Sequence, residues 1–411
     1  MMLKRKIPKT LARNIAMNER IKNAVEVLDR EFDKASLDWL ISLYDGESGG
    51  FYYAVSSRDN EQFGPDIESV VQGVSCMQTL GLVPRDEDGK WVFPDWFKKG
   101  AVDFLRSRQD PDDGYFYDPQ YKEIAKKDKL ERNTGFALSF LRGDMYEQPL
   151  YPTPNERLKA ALAANQKTDK DQKNANTGLG VYQNKETFLK WLEEISATRT
   201  SYSWGSDLAS GASMIAAAGL TDTLVEWLVE KQNKENGTWA NEFNMQAVNG
   251  VLKLCGFFNP DTVPYPNLDT YLSSVIEFTK TFNPVTAAEV WNPLGTVKQI
   301  VKNHPDLSSE MRNKVDESIA EMIENTTVQM RKFRQPDGGF GYLMKGSSEW
   351  SNSVIVSLGL PEGDVNAMAL MMLTYNEAHI LTGIPRSDPW GRWRDYFWEK
   401  MKQKREKYVT K

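Results

Sequence analysis

The stretch FRQPDGGFGYL, from Phe333 to Leu343, ends a helical pattern, turns on two glycines and resumes on aromatic residues. Close variants of this sequence occur three more times in the chain. They are LYDGESGGFYY (43–53), SRQDPDDGYFY (107–117) and EKQNKENGTW (230–239). Glycine lets the backbone reverse with a positive φ, and an acidic or amide side chain before it accepts local backbone N–H groups. The same helix–turn–aromatic unit is therefore expected at four places, so the chain contains an internal repeat.

Each glycine turn lies in a series of paired helical segments of two kinds. DTLVEWLVEKQN (222–233) is amphipathic, whereas DVNAMALMMLTYNEAHILTGI (364–384) is apolar on nearly every side. The first kind suits an outer layer facing water, and the second kind must be buried, with small residues allowing close packing. The predicted pairs are 21–44 with 66–81, 95–109 with 131–142, 185–196 with 206–219, 221–232 with 242–256, 267–282 with 286–302, and 309–334 with 364–382. A last helix is predicted near 389–407.

This alternation predicts an all-α fold, an (α/α)6 toroid of six helical hairpins with the apolar helices on an inner ring. An open solenoid has the same alternation, but six pairs without evident polar caps favour a closed ring. We expect one toroid domain over 1–411, with an N-terminal extension at 1–20 and a C-terminal helix and tail at 389–411. The polar segment 166–184 is predicted to be a long loop, and 345–363 a second loop that can act as a lid.

Composition narrows the possible partners. The chain has 411 residues, a net charge of −6 and a pI near 5.4, which disfavours nucleic acid as a ligand. No stretch reaches the length of a membrane span, and the basic N-terminus lacks the apolar core of a signal peptide. Cys76 and Cys255 lie in apolar helical patterns and are expected to be buried free thiols. These features predict a cytoplasmic protein without membrane insertion, and they leave the oligomeric state open.

The repeated turn resembles the QW-type repeat of the terpenoid cyclase and protein prenyltransferase toroid superfamily. That repeat is a glutamine, an acidic glycine turn and an aromatic residue. The matching stretches are 109–115, 232–239 and 335–340. The resemblance covers the fold over most of the chain and implies an α/α toroid. It does not extend to the catalytic motifs.

Two departures from the superfamily bear on function. Triterpene cyclases donate a proton from an Asp-x-Asp-Asp motif. The stretch Asp110-Pro111-Asp112-Asp113 matches this sequence pattern, but it lies inside a QW-type turn. The favoured interpretation is an outer turn. Protein prenyltransferases bind zinc through Asp, Cys and His, whereas His304 and His379 are the only histidines and neither has a cysteine at metal-binding spacing. No metal and no cofactor are predicted.

In a toroid, the starts of the inner helices surround a central cavity, and polar residues there need a reason to be buried. The start at SRDNEQFGPDIESVVQ is the richest in such residues, although a helix N-cap also explains Asp66. Other inner-helix starts repeat the pattern. The candidate catalytic residues are Asp66, Glu68, Asp207, Glu242 and Asp364. The candidate substrate-binding residues are Arg58, Gln72, Arg132, Asn133, Tyr202, Trp204, Trp239, Trp291, Tyr375 and His379.

Carboxylates, amides and aromatic rings around one cavity favour a carbohydrate-active enzyme, either a glycoside hydrolase or an eliminating polysaccharide or oligosaccharide lyase. A hydrolase needs two carboxyl groups in acid and base roles. A lyase needs a neutralising Arg or Asn with a Tyr or His base, for which Arg132, Asn133, Tyr202 and His379 are candidates. One alternative is a terpenoid cyclase-like enzyme that protonates an isoprenoid from Asp112 or Asp113. Another is a non-catalytic scaffold that binds a peptide or protein.

Overall fold

A computed structural model of the protein describes residues 9–157, 160, 180–259, 261–304 and 307–409. This part of the chain is mostly helical, which confirms the all-α prediction. The first eight helices are α1 Lys9–Asp29, α2 Lys34–Leu43, α3 Val55–Arg58, α4 Ile67–Thr79, α5 Asp95–Arg106, α6 Lys127–Ser139, α7 Lys185–Thr198 and α8 Ser201–Ser210. The next eight are α9 Ala212–Ala217, α10 Thr221–Lys231, α11 Met245–Leu254, α12 Leu268–Thr279, α13 Ala287–Asn303, α14 Ser309–Arg331, α15 Val365–Thr382 and α16 Arg394–Val409.

The four repeated turns share one backbone conformation. A glycine with positive φ occurs in each of them: Gly49 at 86°, Gly114 at 80°, Gly237 at 69° and Gly338 at 94°. Each turn is also closed by one isolated β-bridge, as between Gln109 and Phe116. Asp337 accepts the backbone N–H of Gly339 at 3.0 Å, which is the local bond expected of the acidic residue. The turn therefore ends the outer helix and reverses the chain in the same way each time.

A buried glutamine ties the turn to the chain beyond it. Gln109 Nε2 donates to the carbonyl oxygens of Gly114 and Tyr151, and its Oε1 accepts the N–H of Tyr151. Gln232 and Gln335 lie in the same place. Gln232 donates to the carbonyl oxygen of Gly237 within its turn, and Gln335 donates to those of Phe333, just before its turn, and Met344, just after it. A buried amide must be hydrogen-bonded, so this residue type holds the turn and the following loop together.

The inner helices of the predicted pairs pack against one another in a consistent order. α6 contacts α4, α4 contacts α15, and the series continues through α13 and α11 to α8. These are five of the six neighbour contacts that a closed ring needs. Between the described residues of α6 and α8 there is no comparable packing, although both helices line one cavity. The closed toroid therefore stays a prediction, and the arrangement of the inner helices is consistent with it.

Small residues permit the closest of these contacts. A Cβ atom on Gly250 of α11 would lie 2.5 Å from the hydroxyl oxygen of Ser201 on α8.

Cys76 on α4 and Cys255 after α11 are free and buried, as predicted. Burial raises the pKa of both thiols, and that of Cys255 to about 12. Among the described residues, no helix is long and apolar enough to cross a membrane.

The structure differs from the predicted helix ranges in three places. The predicted helix 21–44 is two helices. The first ends at Asp29, and Asp33 caps α2 by accepting the N–H of Ser36 at 3.0 Å. The predicted helix 206–219 begins earlier, at Ser201, and is interrupted at Gly211. The predicted extension 1–20 overlaps α1, which begins at Lys9 and packs on α14. The loop predicted at 166–184 lies mostly outside the described residues.

The segment predicted as a lid, 345–363, contains a two-stranded hairpin. Strands β1 (Trp350–Ser351) and β2 (Val354–Ile355) are antiparallel and joined by a two-residue turn. Asn352 and Ser353 both have positive φ, 43° and 71°, which is the geometry of a tight hairpin turn. The hairpin packs on a small apolar cluster of Tyr53, Ala54, Tyr121, Val354 and Val356 that is separate from the main core.

The turn at Gly338 gives a test of how strongly the fold depends on it. A Cβ atom there would lie 2.6 Å from the backbone oxygen of Ala35 on α2, in addition to the cost of a positive φ. We expect Gly338→Ala to lower the free energy of unfolding by about 3 kcal/mol or more. The measurement is chemical denaturation of the variant and the parent protein.

Gly89 provides the matched control. It also has positive φ, 78°, but a Cβ atom there meets no atom within 4 Å. Gly89→Ala is therefore expected to lower the free energy of unfolding only by the cost of a positive φ, about 1 kcal/mol. Equal losses in the two variants would mean that the contact of the turn with α2 contributes nothing to stability.

Candidate functional site

A cavity of about 300 Å³ lies among the inner helices, near the starts of α4, α8, α13 and α15, the middle of α6 and the end of α11. Every inner helix contributes to its wall, because α4, α6, α8, α11, α13 and α15 each supply at least one side chain. The hairpin at 350–355 closes one side. The residues that line the cavity are Glu68, Arg132, Tyr202, Leu252, Lys253, Ala288, Trp291, Asn292, Tyr342, Ser348, Trp350, Ser351, Asn352, Asn366 and Leu370.

Glu68, in the first turn of α4, is the buried anion of this site. Lys129 Nζ donates to its Oε2 at 3.0 Å, and Arg132 Nη2 and Nε donate to its Oε1 at 2.5 and 3.1 Å. The side chain of Lys129 is 1% exposed, while that of Arg132 is 41% exposed. Burial alone would raise the pKa of Glu68, but the charges of Lys129 and Arg132 overcome this effect and lower it to about 2. Glu68 is therefore a permanent carboxylate that holds two cations.

Two further carboxylates lie behind Glu68. Asp66 is the N-cap of α4 and accepts the N–H of Ser69 at 2.8 Å, as its sequence position predicts. Asp118 accepts the N–H of Ile67 at 2.9 Å and the amide N–H of Asn133 at 2.8 Å. Burial, and next the charge of Asp66, raise the pKa of Asp118 to about 7. The buried Lys129 faces this pair as well as Glu68, and the guanidinium of Arg108 also acts on the pair.

Asp364 has a structural place beside the cavity rather than in its wall. It caps α15 by accepting the N–H of Ala367 at 2.8 Å, and its second oxygen accepts the N–H of Tyr342 at 2.7 Å. A longer bond, 3.4 Å, comes from the N–H of Ser348. Burial raises the pKa of Asp364 to about 7. The side chain thus fixes two backbone segments whose residues line the cavity.

Another part of the cavity wall is formed by Lys253 and by aromatic side chains. Lys253 Nζ on α11 lies 5.7 Å from the ring centroid of Tyr202 on α8. Burial, and next the positive charge of Arg132, lower the pKa of Lys253. Trp350, 55% exposed, stands on the hairpin at the edge of the cavity. Lys253 and Arg132 therefore share one cavity, and Glu68 is the only carboxylate among the described residues that line it.

The structure separates the five predicted catalytic residues. Glu68 alone lines the cavity. Asp66 and Asp364 are buried helix caps close behind it. Asp207 lies elsewhere on α8, where it accepts a bond from Arg199 at 2.6 Å, and Glu242 is exposed. The carboxylates thus do not form a facing pair in the cavity.

Three of the ten predicted substrate-binding residues line the cavity: Arg132, Tyr202 and Trp291. Gln72 and Asn133 lie next to them, donating to Glu68 and Asp118 respectively. Arg58 lies in a different groove, with Lys400 and Lys404. The remaining four are buried in the core: Trp204 against Trp227, Trp239 against Phe258, and Tyr375 against His379, whose own ring contacts Asp29 at 2.9 Å.

Sequence reasoning missed four important residues. Lys253 in VLKLCG is a charged residue in an otherwise apolar inner helix, which is an unusual place for lysine. Lys129 precedes Arg132 by three positions, a spacing that puts both on one helix face. Asp118 follows a turn and gives no helical signal. Trp350 lies in a loop whose path the sequence does not reveal, so its position at the cavity could not be predicted.

The acid motif of the isoprenoid hypothesis lies away from the cavity. Asp112 is exposed, and Asp113 is half-buried at the outer turn, where it accepts the hydroxyl of Tyr117 at 2.6 Å. Neither side chain lines the cavity. The interpretation of this stretch as an outer turn agrees with these positions. Within the described ranges, no three His, Cys, Asp or Glu side chains are grouped closely enough to bind a metal ion.

Comparison with models of known protein families, with characterised proteins and with solved structures finds no match to this chain.

The raised pKa of Asp118 predicts a pH-dependent effect of Asp118→Asn. The folded pKa, about 7, exceeds the ordinary value of 3.8, so the parent protein loses stability as pH rises through this interval. An asparagine keeps the bond from Ile67 and can donate to the Oδ1 atom of Asn133, which is buried without a partner. We expect the free energy of unfolding of the variant, relative to the parent, to increase by on the order of 2 kcal/mol from pH 5 to pH 8.

The measurement is denaturant unfolding of both proteins over that pH range. Asp88→Asn, at an exposed loop position, controls for the loss of one negative charge. A difference between Asp118→Asn and the parent that does not change with pH would contradict the prediction.

Proposed function

We propose that this protein is a carbohydrate-active enzyme, an eliminating lyase that binds an acidic oligosaccharide in the cavity around Arg132. The observation that carries the proposal is the guanidinium of Arg132, 41% exposed at a cavity whose described wall contains one carboxylate, Glu68. That carboxylate, Glu68, already holds Arg132 and Lys129. The cavity therefore has positive charge to offer to an anionic ligand.

The carboxylate count favours elimination over hydrolysis. A glycoside hydrolase of the usual kind needs two carboxyl groups that flank the bond, one of which must be protonated. Glu68 is the only carboxylate among the described residues of the wall, and its pKa of about 2 keeps it ionised. It is a poor proton donor at neutral pH. Its position suits it better to orienting the guanidinium of Arg132.

Elimination requires groups that the cavity does contain. In a sugar acid, the proton next to the carboxylate becomes acidic only when the carboxylate charge is neutralised, and Arg132 is suited to that task. The phenol of Tyr202, on the same wall, can give a proton to the leaving oxygen. The amides of Asn292, Asn352 and Asn366 supply donors and acceptors for hydroxyl groups.

Aromatic rings at the cavity suit the apolar faces of sugar rings. Trp291 lies in the wall and Trp350 at its exposed edge. An exposed indole beside a polar cavity offers a flat apolar face on which a ligand can stack. Trp350 therefore fits the role of a stacking platform better than Trp204 or Trp239, which are core residues.

The two other hypotheses have less support. An isoprenoid cyclase needs a dry, mostly apolar cavity with a strong acid, whereas this cavity is lined by a guanidinium, a carboxylate, a lysine amine and amides. A peptide-binding scaffold does not need a buried ion cluster at the base of a small cavity.

The test is a panel of acidic and neutral oligosaccharides incubated with the purified protein. Elimination produces an unsaturated sugar ring, which absorbs in the ultraviolet, together with a new reducing end. Hydrolysis produces the reducing end without the absorbance. We expect ultraviolet-absorbing product from an acidic substrate, and reducing ends without absorbance would contradict the proposal.

Arg132→Ala is expected to lower kcat/KM on an acidic substrate by roughly 10²- to 10³-fold, because the carboxylate of the substrate is no longer neutralised. Arg132→Lys should retain part of the activity, since it keeps the charge but loses the bidentate geometry. The control is Arg199→Ala, which removes an exposed arginine outside the cavity and should leave activity unchanged. Equal rates for Arg132→Ala and the parent would exclude the assigned role.

Trp350→Ala is expected to raise KM by roughly tenfold with a smaller change in kcat, since stacking binds ground state and transition state alike. Trp350→Phe keeps a ring at the same position and should restore most of the affinity. A KM that is unchanged in Trp350→Ala would remove this residue from the substrate site.

A further inference from the structure

Lys253 lies where an apolar helix faces the cavity. Its helix α11 packs between α8 and α13, and on the same helix face Asn249 accepts a hydrogen bond from Asn292 of α13. The neighbouring Val251 and Leu254 are fully buried, while Lys253 and Leu252 line the cavity. A lysine in such a position loses much of its hydration, so its presence calls for a function or a partner.

No carboxylate pairs with Lys253 within the part of the chain that the structure describes. The groups that face it are Tyr202 on α8, Arg132 on α6, Trp291 and Asn292 on α13, Asn366 on α15, and Tyr342. Glu68 is the one anion in the cavity, and its oxygens are taken by Lys129 and Arg132. Lys253 thus has a cation for a neighbour and no counter-ion.

Burial and the neighbouring cation both favour the uncharged amine form of Lys253. Burial penalises the ammonium form, and the nearby guanidinium of Arg132 repels it, so the pKa of Lys253 is lowered. Lysines are activated as bases by these two means, desolvation and an adjacent cation. An uncharged Nζ atom has a lone pair that can accept a proton from a ligand in the cavity.

We infer that Lys253 is the general base of the elimination, an inference that rests on the proposed function. Its Nζ atom takes the proton from the carbon that bears the substrate carboxylate, while Arg132 neutralises that carboxylate. The electron pair of the broken C–H bond forms the new C=C bond, and the adjacent C–O bond to the leaving sugar breaks. Tyr202 gives its phenolic proton to the leaving oxygen. Lys253 then returns its proton to water, and Tyr202 regains one.

The first test needs no substrate. Competitive acetylation over a pH series, read by mass spectrometry, gives the titration midpoint of each lysine amine. We expect a lower midpoint for Lys253 than for the exposed Lys234. Arg132→Ala should raise the midpoint of Lys253, whereas Arg132→Lys, which keeps the positive charge, should leave it low. Equal midpoints for Lys253 and Lys234 in the parent protein would overturn the inference.

The second test separates a base from a mere positive charge. Lys253→Arg keeps the charge but cannot accept a proton at neutral pH, and Lys253→Met has the length of lysine without either property. Both variants should lose roughly 10²- to 10⁴-fold in kcat/KM on an acidic oligosaccharide. In the parent, kcat/KM should rise with pH up to the midpoint measured for Lys253. Activity retained by Lys253→Arg would overturn the inference while leaving the proposed function intact.

A failure of the proposed function and a failure of the base role of Lys253 give different experimental results. If the parent protein forms no unsaturated product from any acidic oligosaccharide, the proposed function fails and the base role falls with it. If it forms that product but both variants at position 253 remain active, only the role of Lys253 is wrong. Thermal unfolding of each variant establishes that the loss of activity is not a loss of fold.

Discussion

The fold depends on the left-handed glycine turn that follows an outer helix. Positive φ at Gly49, Gly114, Gly237 and Gly338 reverses the chain over a few residues, and the aromatic residue after the turn packs inward. At Gly338 the turn approaches the backbone of α2 so closely that a side chain would not fit. Four inner helices, α4, α8, α13 and α15, begin beside the same cavity. Their capping residues, and the charged residues beside them, therefore collect around one cavity.

That collection of polar groups creates the electrostatic character of the site. Three buried carboxylates, Asp66, Glu68 and Asp118, surround the buried ammonium of Lys129. Burying one charge alone would be very costly, so the cluster is stable only with its partners in place. Arg132 belongs to the cluster at one end and reaches the cavity at the other. The buried ions thus position a guanidinium where a ligand can meet it. The hairpin packs on its own apolar cluster and holds Trp350 at the edge of the same cavity.

The sequence was most informative where local chemistry determines the structure. The repeated turn, the outer and inner helix types, and the caps at Asp66 and Asp364 follow from glycine, from apolar periodicity and from the preferences of helix N-termini. The helix break at Asp33 was missed because the hydrophobic pattern continues through it. Trp204 and Trp239 were wrongly assigned to the substrate site. The sequence around an aromatic residue near a turn does not show whether the ring packs into the core or faces a ligand. Which charged side chains meet across the cavity depends on packing between distant segments, and no local pattern encodes that.

The two cysteines lie on well-separated parts of the interior, Cys76 in the middle of α4 and Cys255 at the end of α11. Both sulfur atoms are shielded from water, and the thiolate form of each is strongly disfavoured in the folded protein. An alkylating reagent can therefore reach them only when their surroundings open. The rate at which each thiol is modified therefore measures how often its own region of the protein opens. Comparison of the two rates would reveal whether the halves of the chain loosen together or one after the other, without any introduced probe.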